Sequence, residues 1–326
     1  MKDIGIVGMP YSGKSTIFTA LTRTGSAGGR SNQAVVDVPD DRLGVLAEME
    51  RSKKVVPAKV RFVDVPGGLT AQGIAEFRQT DALCLVVRAF GLDADPKAEL
   101  GSLETELILA DMTNVESGLE KARKRARSQP SARPEVEILD RAHELLSSDQ
   151  PLRAGEFDAD ESKALRGYGP LTLKPWIVVA NVEEGADLPA GLPDHALAIS
   201  AALEAEVAGM EEAEAKELLA GFGVGEPGID RVIAESYRAL DLITFLTTGE
   251  DESRAWPVRR GAKAPEAAGT IHSDLERGFI RAEAVGYADL VAAGSWDAAK
   301  HKGLLRVEGK DYAVQEGDVL HIRFAV

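Results

Sequence analysis

The sequence predicts an α/β fold: a phosphate-binding sheet, a helical hairpin inserted into it, and a small mixed-β domain after it. Three observations carry this. Residues 8–15 read Gly8-Met9-Pro10-Tyr11-Ser12-Gly13-Lys14-Ser15, the pattern G-x-x-x-x-G-K-[ST], between an apolar run and a helically spaced one. Ile108, Met112, Val115, Leu119, Ala122 and Ala126 are spaced 4-3-4-3-4, a heptad seam. From about Leu242 the strand–helix alternation gives way to short β-like runs separated by Gly and charged turns.

Taken in order, Ile4–Val7 is a short apolar run suited to a buried parallel strand, and Ile17, Phe18 and Leu21 lie at helical spacing after the loop. A phosphate-cradling loop must sit at such a strand–helix junction. Gly8 and Gly13 permit close backbone approach, and the loop amides and helix N-terminus face the phosphates. Lys14 would reach the β- and γ-phosphates, and the Ser15 hydroxyl would ligate Mg²⁺. The bland alternative is a Gly-rich turn with no ligand. Lys59–Asp64 alternates and ends in an acid, and Asp64-Val65-Pro66-Gly67 gives D-x-x-G. A strand-end carboxylate can hold Mg²⁺ through water, with the Gly67 amide near the γ-phosphate, although Asp-x-x-Gly is also common turn chemistry. Ala82–Val87 reads as a central strand with Cys84 as a buried structural thiol. Trp176–Ala180 reads as another strand, ending in Asn181-Val182-Glu183-Glu184, and His195–Ile199 ends in Ser200-Ala201-Ala202. Four motifs at the C-terminal ends of successive strands mark the edge where open α/β sheets bind ligands.

Composition bounds the rest. A length of 326 residues suggests two or three domains. With 38 Lys+Arg against 53 Asp+Glu the net charge is −15, which argues against non-specific coating of nucleic acid, DNA included. One cysteine allows no intrachain disulfide and fits a reducing compartment. The longest apolar stretches fall far below the ~20 residues of a membrane helix, and the N-terminal run lacks a signal-peptide pattern. A cytoplasmic protein is expected.

These motifs resemble a translation-factor-type P-loop GTPase, and more narrowly the YchF (Ola-type) branch of the Obg-like NTPases. The resemblance rests on GIVGMPYSGKST, VVDVPDDRLGVLAEM, FVDVPG, TDALCLVVRAF, KPWIVVANVEE and ISAALEAEVAGM. It also rests on LITFLTTGEDESRAWPVRRGAKAPEAAGTIHSDLERGFIRAEAVGYADL and VEGKDYAVQEGDVLHIRFAV, and it covers nearly the whole chain. It implies a P-loop NTPase (G-domain-like) sheet, an inserted α-helical coiled-coil hairpin and a C-terminal TGS domain of β-grasp type. The expected boundaries are 1–97 and 171–236 for the nucleotide-binding domain, 98–170 for the insert and 237–326 for the TGS domain. The nucleotide contacts it implies are Gly8, Pro10, Tyr11, Ser12, Gly13, Lys14, Ser15, Thr16, Asn181, Val182, Glu184, Ser200, Ala201 and Ala202. Lys14, Asp64 and Gly67 would serve the reaction, and Ser15 and Asp64 the Mg²⁺.

Guanine-specific relatives use Asn-Lys-x-Asp, whose short carboxylate takes two guanine hydrogen bonds. Here Glu184 is one methylene longer and Val182 replaces the Lys, a geometry that fits guanine poorly; the resemblance implies a preference for ATP, and the two together make ATP the expectation over GTP. The chain departs from the family elsewhere. No Thr lies between Thr24 and Thr70; the family's switch Thr would fall on Gly28, with Ser26 and Ser31 as weak substitutes. The second switch is short, and Gln72 is the one candidate to position water. Slow ATP hydrolysis is therefore expected. The alternatives are a nucleotide-binding scaffold that acts through its hairpin and C-terminal domain without hydrolysis, and a conventional GTPase switch.

Gln129–Pro134 breaks the heptad seam, and Ile138, Ala142 and Leu145 resume it, giving two antiparallel helices. Lys121, Arg123, Lys124, Arg125, Arg127 and Arg133 cluster near the tip. The cluster reads equally as a contact for the ribosome or ribosomal RNA and as a solvated face. Pro227–Asp230 begins a linking helix, and Glu204–Glu217 reads as a solvated helix. His272 has no partner acid or nucleophile in view and reads as structural. Oligomeric state is not legible.

Overall fold

In the computed structural model the run Ile4–Val7 lies inside a seven-stranded sheet, with neighbours on both edges and both faces covered. That is why it shows no polar alternation. The structure describes residues 1–24, 26–27, 32–65 and 67–325. Along the chain run β1 (Lys2–Gly8), α1 (Lys14–Thr24), β2 (Ser26–Ala27), β3 (Asn32–Asp37), α2 (Arg42–Glu50), β4 (Val55–Val56), β5 (Lys59–Asp64), α3 (Ala71–Phe77), β6 (Ala82–Ala89) and α4 (Pro96–Ser128). There follow α5 (Arg133–Ser147), α6 (Ala159–Arg166), β7 (Trp176–Val182), β8 (Leu197–Ile199), α7 (Ala201–Val207), α8 (Glu212–Gly221) and α9 (Gly228–Ala239). The last third holds β9 (Leu242–Thr247), β10 (Ser253–Arg259), α10 (Ala264–Ile271), α11 (Ser273–Arg277), β11 (Phe279–Gly286), α12 (Tyr287–Ala293), α13 (Trp296–His301), β12 (Arg306–Glu308) and β13 (Asp318–Phe324).

Two units result, Met1–Val36 with Arg61–Val232, and Asp37–Val60 with Ile233–Val326. The first contains the sheet β2-β3-β5-β1-β6-β7-β8. Strands β1, β6, β7 and β8 run parallel, with Gly5 opposite Leu83 and Arg88 opposite Asn181. The chain builds outward from β1 to one side through β3 and β5, then to the other through β6, β7 and β8. The loop after β1 therefore sits where the strand order reverses, the crevice in which such sheets bind ligands. Ile4, Ile17, Leu21, Phe62, Phe77, Leu83 and Leu85 are fully buried around it.

Helix α4 is 33 residues long. Asp95 starts it by accepting the Ala98 amide at 2.9 Å, with Pro96 at the first position. Pro130 follows its end. The Arg123–Asp140 ion pair (2.7 Å) and a contact between His143 Nε2 and Glu116 Oε1 (3.3 Å) link α5, running antiparallel, to it. On α4 the buried seam is Ile108, Val115, Leu119 and Ala122, with Met112 packed against it. On α5 the expected positions Ile138 and Leu145 are displaced by one residue: Leu139, Ala142 and Leu146 are buried, and Ile138 packs beside them. The fully buried Asp111 carboxylate, on α4, accepts from the Arg78 guanidinium (2.8 Å), the Leu171 and Thr172 amides (2.9 and 2.7 Å) and the Thr172 hydroxyl (2.8 Å). A buried carboxylate with this many donors is well satisfied.

The second unit holds the sheet β12-β11-β13-β9-β10-β4. Antiparallel pairs β9–β10, β11–β12 and β11–β13 combine with parallel pairs β9–β13 and β4–β10. Phe245, Ala264, Ala268, Ala282 and Ala284 are buried between this sheet and α10. Residues 37–60, which the sequence alone groups with 1–97, belong here. Strand β4 pairs with β10, the Ser52 hydroxyl donates to the Gly249 carbonyl at 2.7 Å, and Arg42 pairs with Glu316 at 2.7 Å. No helix among the described residues is long and apolar enough to cross a membrane.

Candidate nucleotide-binding site

The loop from Gly8 to Lys14 turns sharply because Tyr11 (φ 68°) and Gly13 (φ 89°) take left-handed conformations. Two glycines are fixed by contact. A Cβ on Gly8 would lie 2.5 Å from the Ser12 Oγ, and one on Gly13 would lie 2.0 Å from the Asn181 Nδ2. The Ser12 amide donates to the Met9 carbonyl at 3.3 Å, and Lys14 Nζ reaches the same carbonyl at 3.4 Å. The Lys14 and Ser15 amides open α1, where no carbonyl four residues back lies within the helix. Among the described residues the Ser12 hydroxyl is buried without a partner.

A cavity of about 760 Å³ opens over this loop, and Lys14, Ser15, Asp64, Gly67, Thr70 and Glu106 are among its lining residues. Gly8 and Pro10 line it too. Asp64 ends β5 and is 7% exposed. Gly67 needs its φ of 86° for the turn that follows, and Thr70 caps α3 by accepting the Gly73 amide at 3.4 Å. The open helix-terminal amides and the Lys14 ammonium suit an anionic phosphate chain. A hydroxyl and a carboxylate beside them are the hard oxygen donors Mg²⁺ takes. The residues present therefore fit both a nucleoside triphosphate and Mg²⁺.

Asn181 ties the second half of the site to the first. Its Nδ2 donates to the Ser12 carbonyl at 3.0 Å, and its Oδ1 accepts the Ala201 amide at 3.0 Å. The Ser200 hydroxyl caps α7 by accepting the Leu203 amide at 3.4 Å. The structure thus places Asn181 against the phosphate loop and Ala201 against Asn181, whereas Ser200 caps α7. Val182 is buried, and with Ser200 it lines a second cavity of about 550 Å³ that also meets Leu203, Phe222 and Arg231. Glu184 is exposed, while its neighbour Glu183 accepts the Gly91 amide at 3.0 Å. Tyr11 is 90% exposed, and Thr16 is exposed on α1.

Other sequence readings are placed as follows. Gln72 lies exposed in the first turn of α3, outside the lining of the phosphate cavity. Gly28, Ser31 and Pro66 lie outside the described residues, and Ser26 falls in β2. Cys84 is fully buried, and burial pushes its thiol up to about 12. His272 caps α11, its Nδ1 accepting the Asp274 amide at 3.1 Å. Glu204 corrects the solvated-helix expectation: it is 4% exposed and accepts the Gly228 and Ile229 amides at 2.6 and 3.1 Å, and burial raises its pKa. The stretch also breaks into α7 and α8. In the basic cluster Arg123, Lys124 and Arg125 pair with Asp140, Glu120 and Glu135. Among the described residues no ion pair engages Lys121, Arg127 or Arg133. Sequence reasoning missed Thr70 and Glu106. Thr70 could have been found as a helix cap, whereas Glu106 carries no motif.

The sheet order, the glycine loop and the strand-end Asp64 define a P-loop nucleotide-binding domain. Residues 3–117 match the MMR_HSR1 family model, described as a 50S ribosome-binding GTPase. Residues 242–325 match YchF-GTPase_C, described as a protein of unknown function. The chain is 40% identical over 361 aligned positions to the Bacillus subtilis (strain 168) protein named Ribosome-binding ATPase YchF, with 99% of each chain covered. It is 36% identical over 358 positions to the Escherichia coli O157:H7 protein of the same name, again with 99% of each covered. The solved structure of the Schizosaccharomyces pombe YchF GTPase superposes with a TM-score of 0.87 at 30% identity, over 99% of this chain and 97% of that one. The chain belongs to the YchF family.

Proposed function

We propose that this chain binds ATP with Mg²⁺ in the cavity over residues 8–15, hydrolyses it slowly to ADP and phosphate, and associates with the ribosome in the cytoplasm. The observation that carries the reading is the convergence of Lys14, Ser15, Asp64 and Gly67 on one cavity. The name ribosome-binding ATPase, borne by relatives at 36–40% identity, supports both halves.

In this reading the loop amides and Lys14 hold the β- and γ-phosphates, and Ser15 and Asp64 hold Mg²⁺, Asp64 through water. The metal would neutralise charge on the phosphate oxygens. The Gly67 amide faces the γ-phosphate. Gly8 and Gly13 keep the loop close to the phosphates, with Pro10, Tyr11, Ser12 and Thr16 completing it. Asn181, Val182, Glu184, Ser200, Ala201 and Ala202 surround the base, where the longer Glu184 disfavours guanine. The hairpin, read as a coiled coil, offers Lys121, Arg127 and Arg133 to ribosomal RNA, and the C-terminal sheet serves as a TGS-type binding module.

Titrating ATP and GTP with and without Mg²⁺ tests the reading. ATP should bind more tightly than GTP and require Mg²⁺ for turnover. Lys14→Ala removes a charge-assisted contact worth about 1.5–3 kcal/mol, roughly 10- to 100-fold in affinity. Wild-type affinity in that variant, or GTP preference in the native chain, refutes it. Ribosome co-sedimentation after charge reversal at Lys121 and Arg127 tests the hairpin, and unchanged pelleting removes it from the contact surface.

A further inference from the structure

We propose that Glu106 is the base that orients the attacking water and takes its proton, an assignment that rests on the ATPase reading above. The starting point is an imbalance in the site. The chain carries no Thr from position 25 to 69, and Gln72, the one sequence candidate for holding water, does not line the phosphate cavity. Thr70, which does line it, uses its hydroxyl to cap α3. Among the described lining residues only Asp64 and Glu106 can accept a proton from water, and Asp64 belongs to the metal in the reading above.

Glu106 comes from a different element, α4. Leu103 and Leu107 on that helix are buried in the sheet core, which fixes its rotation and leaves Glu106 exposed at the cavity. Glu99 lies seven residues earlier, two turns along the same face. It feels the charge of Lys14, and burial raises its pKa. One face of α4 is thus turned toward the phosphate loop. Glu106 itself forms no hydrogen bond or ion pair among the described residues, so its carboxylate is uncommitted.

A carboxylate beside a γ-phosphate cannot bind the phosphate, since both are anionic, but it can accept a hydrogen bond from a water lying between them. The water oxygen then forms its bond to the γ-phosphorus as the bond to the β–γ bridging oxygen breaks. That electron pair leaves on ADP, and the water proton passes to Glu106 and then to solvent. A positioned base contributes typically 10²–10⁴-fold.

The test compares Glu106→Gln and Glu106→Asp with the wild type. Turnover should fall about 100-fold in E106Q, with unchanged melting temperature, and E106D should retain more of it. A readout independent of turnover uses a non-hydrolysable ATP analogue. Losing one negative charge from the cavity should leave its affinity unchanged or raise it severalfold, with ADP affinity unaffected. E106Q turnover within threefold of wild type overturns the assignment and leaves the ATPase reading standing. Analogue binding weakened tenfold in E106Q overturns it in favour of a binding role. A wild type that binds ATP and never turns it over removes both readings.

Discussion

Replacing Asn181 by Ala tests whether one buried amide holds the two halves of the site together. Asn181 is 5% exposed and spans the Ser12 carbonyl and the Ala201 amide, each at 3.0 Å. Truncation leaves both backbone groups without a partner and opens space beside Gly13, whose backbone the Asn181 amide approaches closely. Each buried polar group left unpaired costs about 1–3 kcal/mol. Two such groups place the loss at about 2–6 kcal/mol. Borne by the whole domain, that loss lowers Tm by about 4–24 °C at 2–4 °C per kcal/mol. Confined to the loop, it appears as ATP binding at least about 25-fold weaker, since 1.4 kcal/mol is tenfold. Thermal melting and nucleotide titration on the same sample separate the two. An N181A protein with Tm within 1 °C and ATP affinity within threefold of wild type would refute the reasoning.

Asp111→Ala strips four donors of their shared acceptor and leaves the Arg78 guanidinium without its carboxylate, which should cost about 3–5 kcal/mol in urea unfolding. Glu184→Asp shortens the carboxylate at the proposed base site and should raise the GTP-to-ATP affinity ratio about tenfold, by the gain of paired hydrogen bonds to guanine. Burial and the neighbouring Arg323 lower the His321 pKa, so the unfolded chain takes up the proton more readily. Stability contributed by neutral His321 is present above the unfolded value of about 6.5 and is lost as pH falls through the lower folded value. Between pH 7 and 5 the wild type should therefore lose stability relative to His321→Gln, as read by denaturant melts.

The phosphate loop was legible because backbone chemistry dictates its spacing: Gly8 and Gly13 stand where a Cβ would strike Ser12 or Asn181. The strand end at Asn181 was legible because a buried parallel strand reads as an apolar run that stops at a polar residue, and Asp64 because its alternating strand ends in an acid. The hairpin's existence followed from its periodicity, yet the α5 seam came out one residue off. Ile138 and Leu139, like Leu145 and Leu146, are adjacent apolar pairs, and only packing decides which member faces α4. Glu204 and Asp111 look like solvent charges in sequence, and nothing local announces the distant amides that bury them. The place of Glu106 at the cavity is illegible for the opposite reason: it depends on what α4 passes over, a tertiary fact. The 361-position alignment with the Bacillus subtilis relative exceeds this chain's length, so that relative carries stretches without a counterpart here.

The placement of residues 37–60 also bears on synthesis. Ser52 meets Gly249 across 197 residues of sequence, and α2, with buried Leu43 and Leu46, packs on β10 and α12. At about 5–20 residues per second, roughly 10–40 seconds separate the emergence of this early stretch from that of its partners. Through that interval Leu43 and Leu46 face water, and the hydrogen-bonding edge of β4 is unclaimed. A nascent chain halted at about residue 232 would retain this exposed segment indefinitely, so release of a truncated product should favour chaperone capture or aggregation over accumulation of a free nucleotide-binding fragment.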